Sequence, residues 1–215
     1  METDIHRFGD FTKKYYLPAR PFGFALFRLY FHLKVKGREN LPTAGPGIIV
    51  PNHTSFLDPP LLSAVAPRVL YFLMLSKHFF HPRWYWLFSR LPCIPMERGK
   101  TNTRALKECL QVLKHHQLLC MFPEGGISRE HKAEGVKQGA ALLALRTQAP
   151  IIPAGIIGAS AALKLHQRFP RPKPILIKFG APIQIPSNGI HDKEALQEIT
   201  DKTMSSIESL LTGGA

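Results

Sequence analysis

Short apolar runs alternate with longer amphipathic segments along most of the chain. The short runs are rich in β-branched and aromatic residues, which is typical of buried strands, and the longer segments have the periodicity of helices. We expect strands at 34–37, 47–51, 69–75, 92–96, 117–122, 151–156 and 174–180, and helices at 59–66, 83–90, 102–115, 135–147 and 191–211. Strands separated by helices predict an α/β fold with a largely parallel central sheet and helices on both faces.

The first part of the chain has a different pattern. Residues 1–38 hold eight Lys and Arg against three acids, around an apolar run that is too short for a membrane-spanning helix of about 20 residues. Glu2 and Asp4 near the start, and the lack of a small-residue cleavage site, argue against a signal peptide. The helical spacing of the phenylalanines predicts one aromatic face that enters a bilayer, formed by Phe22, Phe24, Phe27 and Phe31.

Two domains follow from this difference in pattern. We expect a helical membrane-interface segment at residues 1–33, followed by an α/β domain at residues 34–215. The alternative for the first segment is a helix that simply packs on the core.

The charge of the chain indicates an anionic partner. The 215 residues carry a net charge of +13 with a pI near 9.9, which suits phospholipid head groups, a phosphorylated substrate or nucleic acid. A second basic stretch, from Lys164 to Lys178, contains no acidic residue, and it could face phospholipid, bind the phosphates of a cofactor-like donor or be a solvated loop. Nucleic acid is the weaker candidate, because no recognition helix, RNP motif or metal-finger spacing is present.

Cysteine and histidine usage argues against metal and thiol chemistry. The three cysteines include no close pair, which indicates a reducing compartment with neither a disulfide framework nor a zinc site. The pairs His78/His81 and His115/His116 lack a third ligand at a suitable spacing. No Gly-x-Ser-x-Gly motif is present, which disfavours a covalent serine mechanism. We therefore expect neither a metal nor an organic cofactor.

The strongest candidate chemistry follows the strand at 47–51. His53 lies just past this strand, and Asp58 precedes the prolines that begin the next helix, so we expect Asp58 at the N-cap position. An imidazole base and an orienting carboxylate five residues apart can meet across one turn at the edge of the sheet where α/β proteins place their sites. The alternative is that Asp58 only caps the helix and His53 is an ordinary turn residue.

Two further strand ends carry polar residues. The strand at 117–122 runs into Pro123, Glu124, Gly125 and Gly126, which would leave a carboxylate and flexible backbone N–H groups at the same edge. The strand at 92–96 is followed by Glu97-Arg98-Gly99-Lys100, where the guanidinium is a planar donor suited to phosphate. Taken separately, these segments are also compatible with an ordinary turn and a solvated charge.

These segments together resemble the glycerophospholipid acyltransferases. Asn52-His53-x-Ser55-x-x-Asp58-Pro59 is similar to the first motif of that family, and the second, third and fourth motifs resemble residues 94–99, 122–125 and 151–156. Order and spacing are preserved from about Gly37 to Ile156. The sequence departs from the family where the third motif reads Gly126-Ile127-Ser128 instead of Thr-Arg-Ser, and where Glu97 replaces an aspartate. Both departures concern the acyl acceptor.

The resemblance implies a function and a set of roles. Such an enzyme moves a fatty acyl group from acyl-CoA or acyl-carrier protein to the free hydroxyl of lysophosphatidate, giving phosphatidate in phospholipid biosynthesis. His53 and Asp58 are then catalytic, and the substrate-binding residues are Arg98, Gly99, Glu124, Gly125 and Lys137.

The acceptor, the partners and the location of the enzyme follow as further expectations. Glycerol-3-phosphate and other lysophospholipids remain alternative acceptors. The other partner is an anionic membrane surface, with the enzyme peripheral or monotopic on the cytoplasmic face. A nucleic-acid-binding domain and a catalytically inactive membrane scaffold are the remaining alternatives.

Overall fold

A computed structural model describes residues 12–97, 102–123, 134–164, 166–186 and 193–213. The central sheet has seven strands in the spatial order β1-β7-β6-β2-β5-β3-β4. Their bounds are β1 Lys34–Lys36, β2 Gly47–Pro51, β3 Leu70–Leu75, β4 Cys93–Met96, β5 Leu118–Cys120, β6 Ile151–Ile157 and β7 Leu176–Phe179. Each of these strands overlaps one of the strands predicted from the sequence.

The strands from β6 to β4 are mutually parallel, which confirms the largely parallel sheet. Strand β7 is antiparallel to β6, and β1 runs parallel to β7. A parallel neighbour requires a crossover that is usually a helix. The described residues between β6 and β7 form a four-residue helix and a proline-rich stretch, and β7 lies alongside β6 in the opposite direction.

The described residues form eight α-helices. They are α1 Leu17–Tyr30, α2 Asp58–Val65, α3 Ser76–Phe79, α4 Tyr85–Phe88, α5 Thr103–Lys114, α6 Glu134–Thr147, α7 Ala159–Ala162 and α8 Lys193–Thr212. A π-helical turn, Thr12–Tyr16, precedes α1, and a 3₁₀ turn occupies Arg38–Asn40. The helix predicted at 83–90 is confined to α4. Helices α3 and α7 were not predicted, because four residues are too few to show a helical period.

The core consists of two layers, one on each face of the sheet. Alternate residues of β2 show the division, because Ile48 belongs to one layer, Ile49 to the other, and both are fully buried. Helices α5, α6 and α8 cover the Ile48 face, and α1, α2 and α7 cover the Ile49 face. The predicted arrangement of helices on both faces is confirmed.

Helix α1 lies against the second of these layers. Phe31 is buried, and Phe24 and Phe27 pack against the same core cluster. Arg20 holds the helix in place because its Nε donates to the carbonyl oxygen of Ser63 in α2 at 3.0 Å. The predicted aromatic face is therefore wrong for three of its four phenylalanines, which turn inward.

The outer face of α1 is apolar as well. Phe22, Leu26 and Leu29 are exposed on the side of the helix opposite the core, because a spacing of four and then three residues keeps them in one stripe. The described helices include none that combines the length and the apolar character needed to span a bilayer.

The close packing of Gly37, just after β1, against the end of β7 can be tested by comparison with Gly45, a second glycine with a positive φ. Gly37 (φ +69°) and Gly45 (φ +74°) are both left-handed, but a Cβ on Gly37 would collide with the carbonyl oxygen of Phe179, whereas one on Gly45 would meet nothing within 4 Å. We expect Gly45→Ala to cost about 1 kcal/mol of unfolding free energy from backbone strain. Gly37→Ala should cost at least about 2 kcal/mol more, because the collision adds to that strain. Equal losses in chemical denaturation would contradict this packing.

Candidate functional site

The carboxyl ends of four parallel strands meet at one edge of the sheet. Strand β2 ends at Pro51, β5 at Cys120, β3 at Leu75 and β4 at Met96. Strand β5 lies between β2 and β3, and β4 is the outermost strand of the group. The loops that leave these strands carry the first three motifs of the sequence, so the fold places all three at the edge where α/β sheets bind their ligands.

The first loop brings His53 and Asp58 into direct contact. The Nδ1 atom of His53 lies 2.9 Å from Oδ2 of Asp58. Because a carboxylate oxygen only accepts, Nδ1 carries a proton, and in the neutral imidazole Nε2 then keeps its lone pair. The Asp58 side chain is fully buried, and that of His53 is 13% exposed. The imidazole is thus held by a buried acid and keeps an edge open, which is the arrangement that a general base requires.

Asp58 does not cap α2 as expected. The helix begins at Asp58 itself, Leu57 occupies the N-cap position, and no side-chain capping bond is formed there. Oδ2 instead accepts from the backbone N–H groups of Thr54 (2.7 Å) and Ser55 (2.9 Å). The N-cap prediction is wrong because the carboxylate turns back toward the preceding loop. A buried carboxylate needs such donors to offset its desolvation, and here they also fix the loop around His53.

Asn52 attaches this loop to the fourth motif, and Ser55 attaches it to Leu163 further along the chain. The side-chain amide of Asn52 donates from Nδ2 to the carbonyl oxygen of Ile156 at 3.0 Å and accepts from the N–H of Ile156 at 2.7 Å. The hydroxyl of Ser55 donates to the carbonyl oxygen of Leu163 at 2.9 Å. The end of β6 therefore supports the loop of β2 through side chains. Neither role was assigned from the sequence, since the partners of Asn52 lie 104 residues away.

Phe122 joins the third motif to the first. Its ring stacks on the imidazole of His53, with centroids 4.0 Å apart and an interplanar angle of 25°. Phe122 directly precedes Pro123, the last described residue of this segment, so the stacking brings the described part of the third motif to the histidine. The sequence indicated the motif but gave no sign that Phe122 would restrain the base.

A cleft of about 260 Å³ lies between the ends of β3 and β4, lined by Leu75, Ser76, Lys77, Met96 and Glu97. Asn102 holds one wall, because it accepts from the N–H of Glu97 at 2.7 Å and donates to its carbonyl oxygen at 2.6 Å. These bonds join the two ends of the segment that contains Arg98. Lys77 brings an exposed cation to the cleft, and sequence reasoning did not single it out.

The predicted substrate-binding residues are only partly covered by the structure. Arg98, Gly99, Glu124 and Gly125 lie outside the described residues, and Lys137 lies in α6 at a position where only the backbone is described.

The cysteines are unsuited to nucleophilic catalysis. All three are buried. Burial, followed by the negative charge of Asp58, raises the pKa of the Cys120 thiol well above its ordinary value. Burial and the neighbouring Glu108 raise the pKa of Cys109 to about 12. Because only the thiolate is an effective nucleophile, these side chains act as packing residues, as the sequence suggested.

A His–Asp pair at the carboxyl edge of an α/β sheet is typical of an enzyme that activates a hydroxyl group. The chain belongs to the acyltransferase family, because the family described as Acyltransferase matches residues 32–157. This span contains strands β1 to β6 and all four motifs.

Known relatives agree with this assignment. The chain is 29% identical over 132 residues to a chloroplastic 1-acyl-sn-glycerol-3-phosphate acyltransferase of Arabidopsis thaliana. The aligned region covers 60% of this chain and 37% of that protein. The chain is 27% identical over 138 residues to the 1-acyl-sn-glycerol-3-phosphate acyltransferase of Bacillus subtilis (strain 168), covering 63% of this chain and 68% of that protein. The matched region thus spans less than two thirds of the plant relative.

A solved structure has the same fold. The crystal structure of the 1-acyl-sn-glycerophosphate (LPA) acyltransferase PlsC from Thermotoga maritima superposes with a TM-score of 0.65, at 23% identity, and covers 92% of this chain and 83% of that one.

Proposed function

We propose that the protein transfers a fatty acyl group from acyl-CoA or acyl-carrier protein to the free hydroxyl of lysophosphatidate, forming phosphatidate. The observation that carries this proposal is the 2.9 Å contact between His53 Nδ1 and the buried Asp58 carboxylate, in a chain of the acyltransferase family. The activity for which the relatives from Arabidopsis thaliana and Bacillus subtilis are named supports lysophosphatidate as acceptor. Glycerol-3-phosphate or another lysophospholipid is the alternative acceptor.

His53 is the general base in this proposal. Its Nε2 takes the proton from the acceptor hydroxyl as the oxygen attacks the thioester carbonyl, because an alcohol is a poor nucleophile while it keeps its proton. Asp58 holds the ring in the required tautomer and stabilises the imidazolium. The tetrahedral intermediate then collapses, the C–S bond breaks, and the imidazolium returns its proton to the leaving thiolate. No acyl-enzyme is formed.

The oxyanion of that intermediate needs hydrogen-bond donors. The backbone N–H groups of Thr54 and Ser55 are already bonded to Asp58, and that of Leu57 donates to the Ser55 hydroxyl at 3.3 Å. With these three N–H groups of the loop occupied, we propose the N–H groups of Gly125 and Gly126 as the donors. The stacking of Phe122 on His53 supports this choice, since it brings the described part of the third motif to the base.

Acceptor binding is proposed for the loops after β4 and β5. Arg98, with Gly99 beside it, would hold the phosphate through its bidentate guanidinium. Glu124 and Gly125 would place the glycerol part, and Lys137 would add a positive charge near the phosphate. Strand β4 lies three strand spacings from β2, about 14 Å, so an acceptor whose hydroxyl lies at His53 would extend across the ends of β5 and β3 for its phosphate to meet Arg98. The cleft lined by Lys77 and Glu97 lies at that end of the sheet.

We propose that residues 1–33 hold the enzyme at the cytoplasmic face of a membrane and that residues 34–215 form the catalytic domain. The exposed stripe of α1, formed by Phe22, Leu26 and Leu29, supports membrane contact, because an apolar face flanked by basic residues suits an anionic interface. Both proposed substrates carry acyl chains. An enzyme held at the interface takes them from the bilayer without moving those chains through water.

His53→Ala should abolish acyl transfer, and Asp58→Asn should lower kcat by about 10²- to 10⁴-fold, because the base is lost in the first variant and loses its orienting acid in the second. The measurement is thiol release from acyl-CoA with lysophosphatidate as acceptor. His115→Ala and Asp201→Asn are matched controls at exposed positions, and both should retain activity. Near-normal turnover by folded His53→Ala would exclude this mechanism.

Replacing Arg98 with lysine should raise KM for the phosphorylated acceptor at least about tenfold while changing kcat little, because one charged hydrogen bond of the bidentate pair is lost. The control is Arg104→Lys, on the exposed side of α5, where the guanidinium pairs with Glu108. A panel of lysophosphatidate, glycerol-3-phosphate and lysophosphatidylcholine identifies the acceptor in the same assay. A changed KM for acyl-CoA alone would place Arg98 in the donor site.

Substituting Phe22, Leu26 and Leu29 together with serine should strongly reduce flotation with anionic liposomes, because the outer stripe of α1 provides an apolar contact. The melting temperature should change little, since these side chains are exposed. Deletion of residues 1–33 is not equivalent, because it removes the buried Phe31 and Leu33. Undiminished flotation of the triple variant would show that α1 is not the main contact.

A further inference from the structure

Exposed large hydrophobic side chains are unevenly distributed over the described residues. They occur in the N-terminal region from Tyr15 to Tyr30, at Phe56 and the segment from Phe80 to Trp86, and at Phe169. None of them lies on α5, α6 or α8, which cover the other face of the sheet. Exposed apolar surface of this size usually marks an interaction site. The group around Phe80 is not explained by the N-terminal segment and is separate from it in sequence.

This group forms a structural unit, which we call the aromatic lobe (residues 76–90). It comprises α3, α4 and the turn between them, with Phe79 buried inside it, and α3 contacts strands β3 and β4. The ring of Phe79 packs edge-to-face with those of Phe80 and Tyr85, with centroids 4.9 Å and 6.0 Å apart. The rings of Phe80 and Tyr85 stack with their centroids 5.9 Å apart. Trp84 and Trp86 stand beside them, 47% and 57% exposed. The rings outside Phe79 thus face solvent on a fixed backbone.

The lobe is also cationic. No aspartate or glutamate occurs between Asp58 and Glu97, whereas Lys77, Arg83 and Arg90 are exposed. Burial, with the neighbouring Lys77 and His81, lowers the pKa of His78, so at neutral pH the charge comes from lysine and arginine. Tryptophan and tyrosine prefer the interface between water and lipid, and positive charge favours anionic lipid over a neutral surface.

The lobe is continuous with the catalytic loop. Phe56 lies between His53 and Asp58 in the chain, is exposed, and meets the ring of His78 edge-on with centroids 6.2 Å apart. On the other side of the same loop, Ser55 is bonded to Leu163 at the start of the second basic stretch. That stretch in turn meets α1, because the hydroxyl of Tyr30 donates to the carbonyl oxygen of Pro170 at 3.0 Å. The catalytic loop therefore lies between two apolar and basic surfaces.

We propose that the aromatic lobe is a second membrane contact, which inserts Trp84 and Trp86 into the interface of an anionic phospholipid bilayer. With α1 on the other flank, the bilayer then meets the protein on both sides of His53, and an acyl chain leaves the lipid over Phe56. The route of the acyl chain rests on the proposed function. Membrane insertion of the lobe does not, and the two are measured separately.

Tryptophan fluorescence reports on the lobe alone, because the chain contains two tryptophans and both belong to it. The full chain is titrated with vesicles of phosphatidylcholine and phosphatidylglycerol, some of them carrying brominated acyl chains. We expect the emission to move to shorter wavelength, to be quenched by the bromolipid, and to become less accessible to acrylamide. His53→Ala should give the same fluorescence response, because membrane insertion of the lobe does not depend on the base. If the wild-type protein shows the emission shift but no acyl transfer, the proposed function is contradicted and membrane insertion of the lobe is not.

Single substitutions separate the contributions within the lobe. Trp84→Phe and Trp86→Phe each leave one reporter, and both reporters should be quenched by bromolipid. Arg83→Gln should weaken binding to anionic vesicles about fivefold, because one basic residue near the surface is lost. Lys107→Gln, at a position of α5 on the opposite face of the sheet, is the matched control and should leave binding unchanged.

Other outcomes would overturn the proposal. If the protein floats with vesicles while its tryptophan emission stays unchanged, α1 binds and the lobe does not. Absence of any vesicle binding excludes the lobe as well. A blue shift that grows with protein concentration in the absence of lipid would show that a second copy of the chain covers the lobe. An equal response to pure phosphatidylcholine vesicles would exclude anionic lipid as the partner.

Discussion

The buried carboxylate of Asp58 organises the site, and its desolvation is the constraint that the surrounding loop must meet. An ionised group in an apolar environment requires hydrogen-bond donors. Here Oδ2 accepts from the imidazole of His53 and from two backbone N–H groups. The same bonds that offset the cost of burial fix the conformation of residues 53–58 and the tautomer of the base. Asn52 and Ser55 then hold this loop against β6 and the start of the second basic stretch.

The surfaces proposed to contact lipid lie next to the loop that carries His53 and Asp58. The catalytic loop leaves β2 in the middle of the sheet, whereas the exposed large apolar side chains of the described residues lie on the α1 side and in the aromatic lobe. The opposite face is covered by α5, α6 and α8, whose described residues expose no large hydrophobic side chain. The surfaces proposed to meet a membrane therefore exclude α5, α6 and α8, and the loop of the His–Asp pair contacts the aromatic lobe through Phe56.

Much of the fold was predictable because strand and helix periods are local properties. The positions of the strands and the proximity of His53 to Asp58 follow from a few neighbouring residues. The direction of β7 does not, because it depends on how the chain returns after β6. Both faces of α1 are apolar, so periodicity alone could not decide whether Phe24 or Phe22 faces the core. The roles of Asn52 and Phe122 depend on partners in other strands, and the N-cap expectation failed because the carboxylate of Asp58 turns toward its loop.

The tautomer of His53 decides whether the Asp58 carboxylate orients the base as proposed. Nitrogen-15 NMR of histidine-labelled protein, with the His53 signals assigned by a His53→Gln variant, distinguishes the two ring nitrogens at a pH where the imidazole is neutral. The geometry predicts a proton on Nδ1 and a bare Nε2, with this preference lost in Asp58→Ala. A proton on Nε2 and a bare Nδ1 in the wild-type protein would contradict it, because the nitrogen assigned to take the acceptor proton would already carry one.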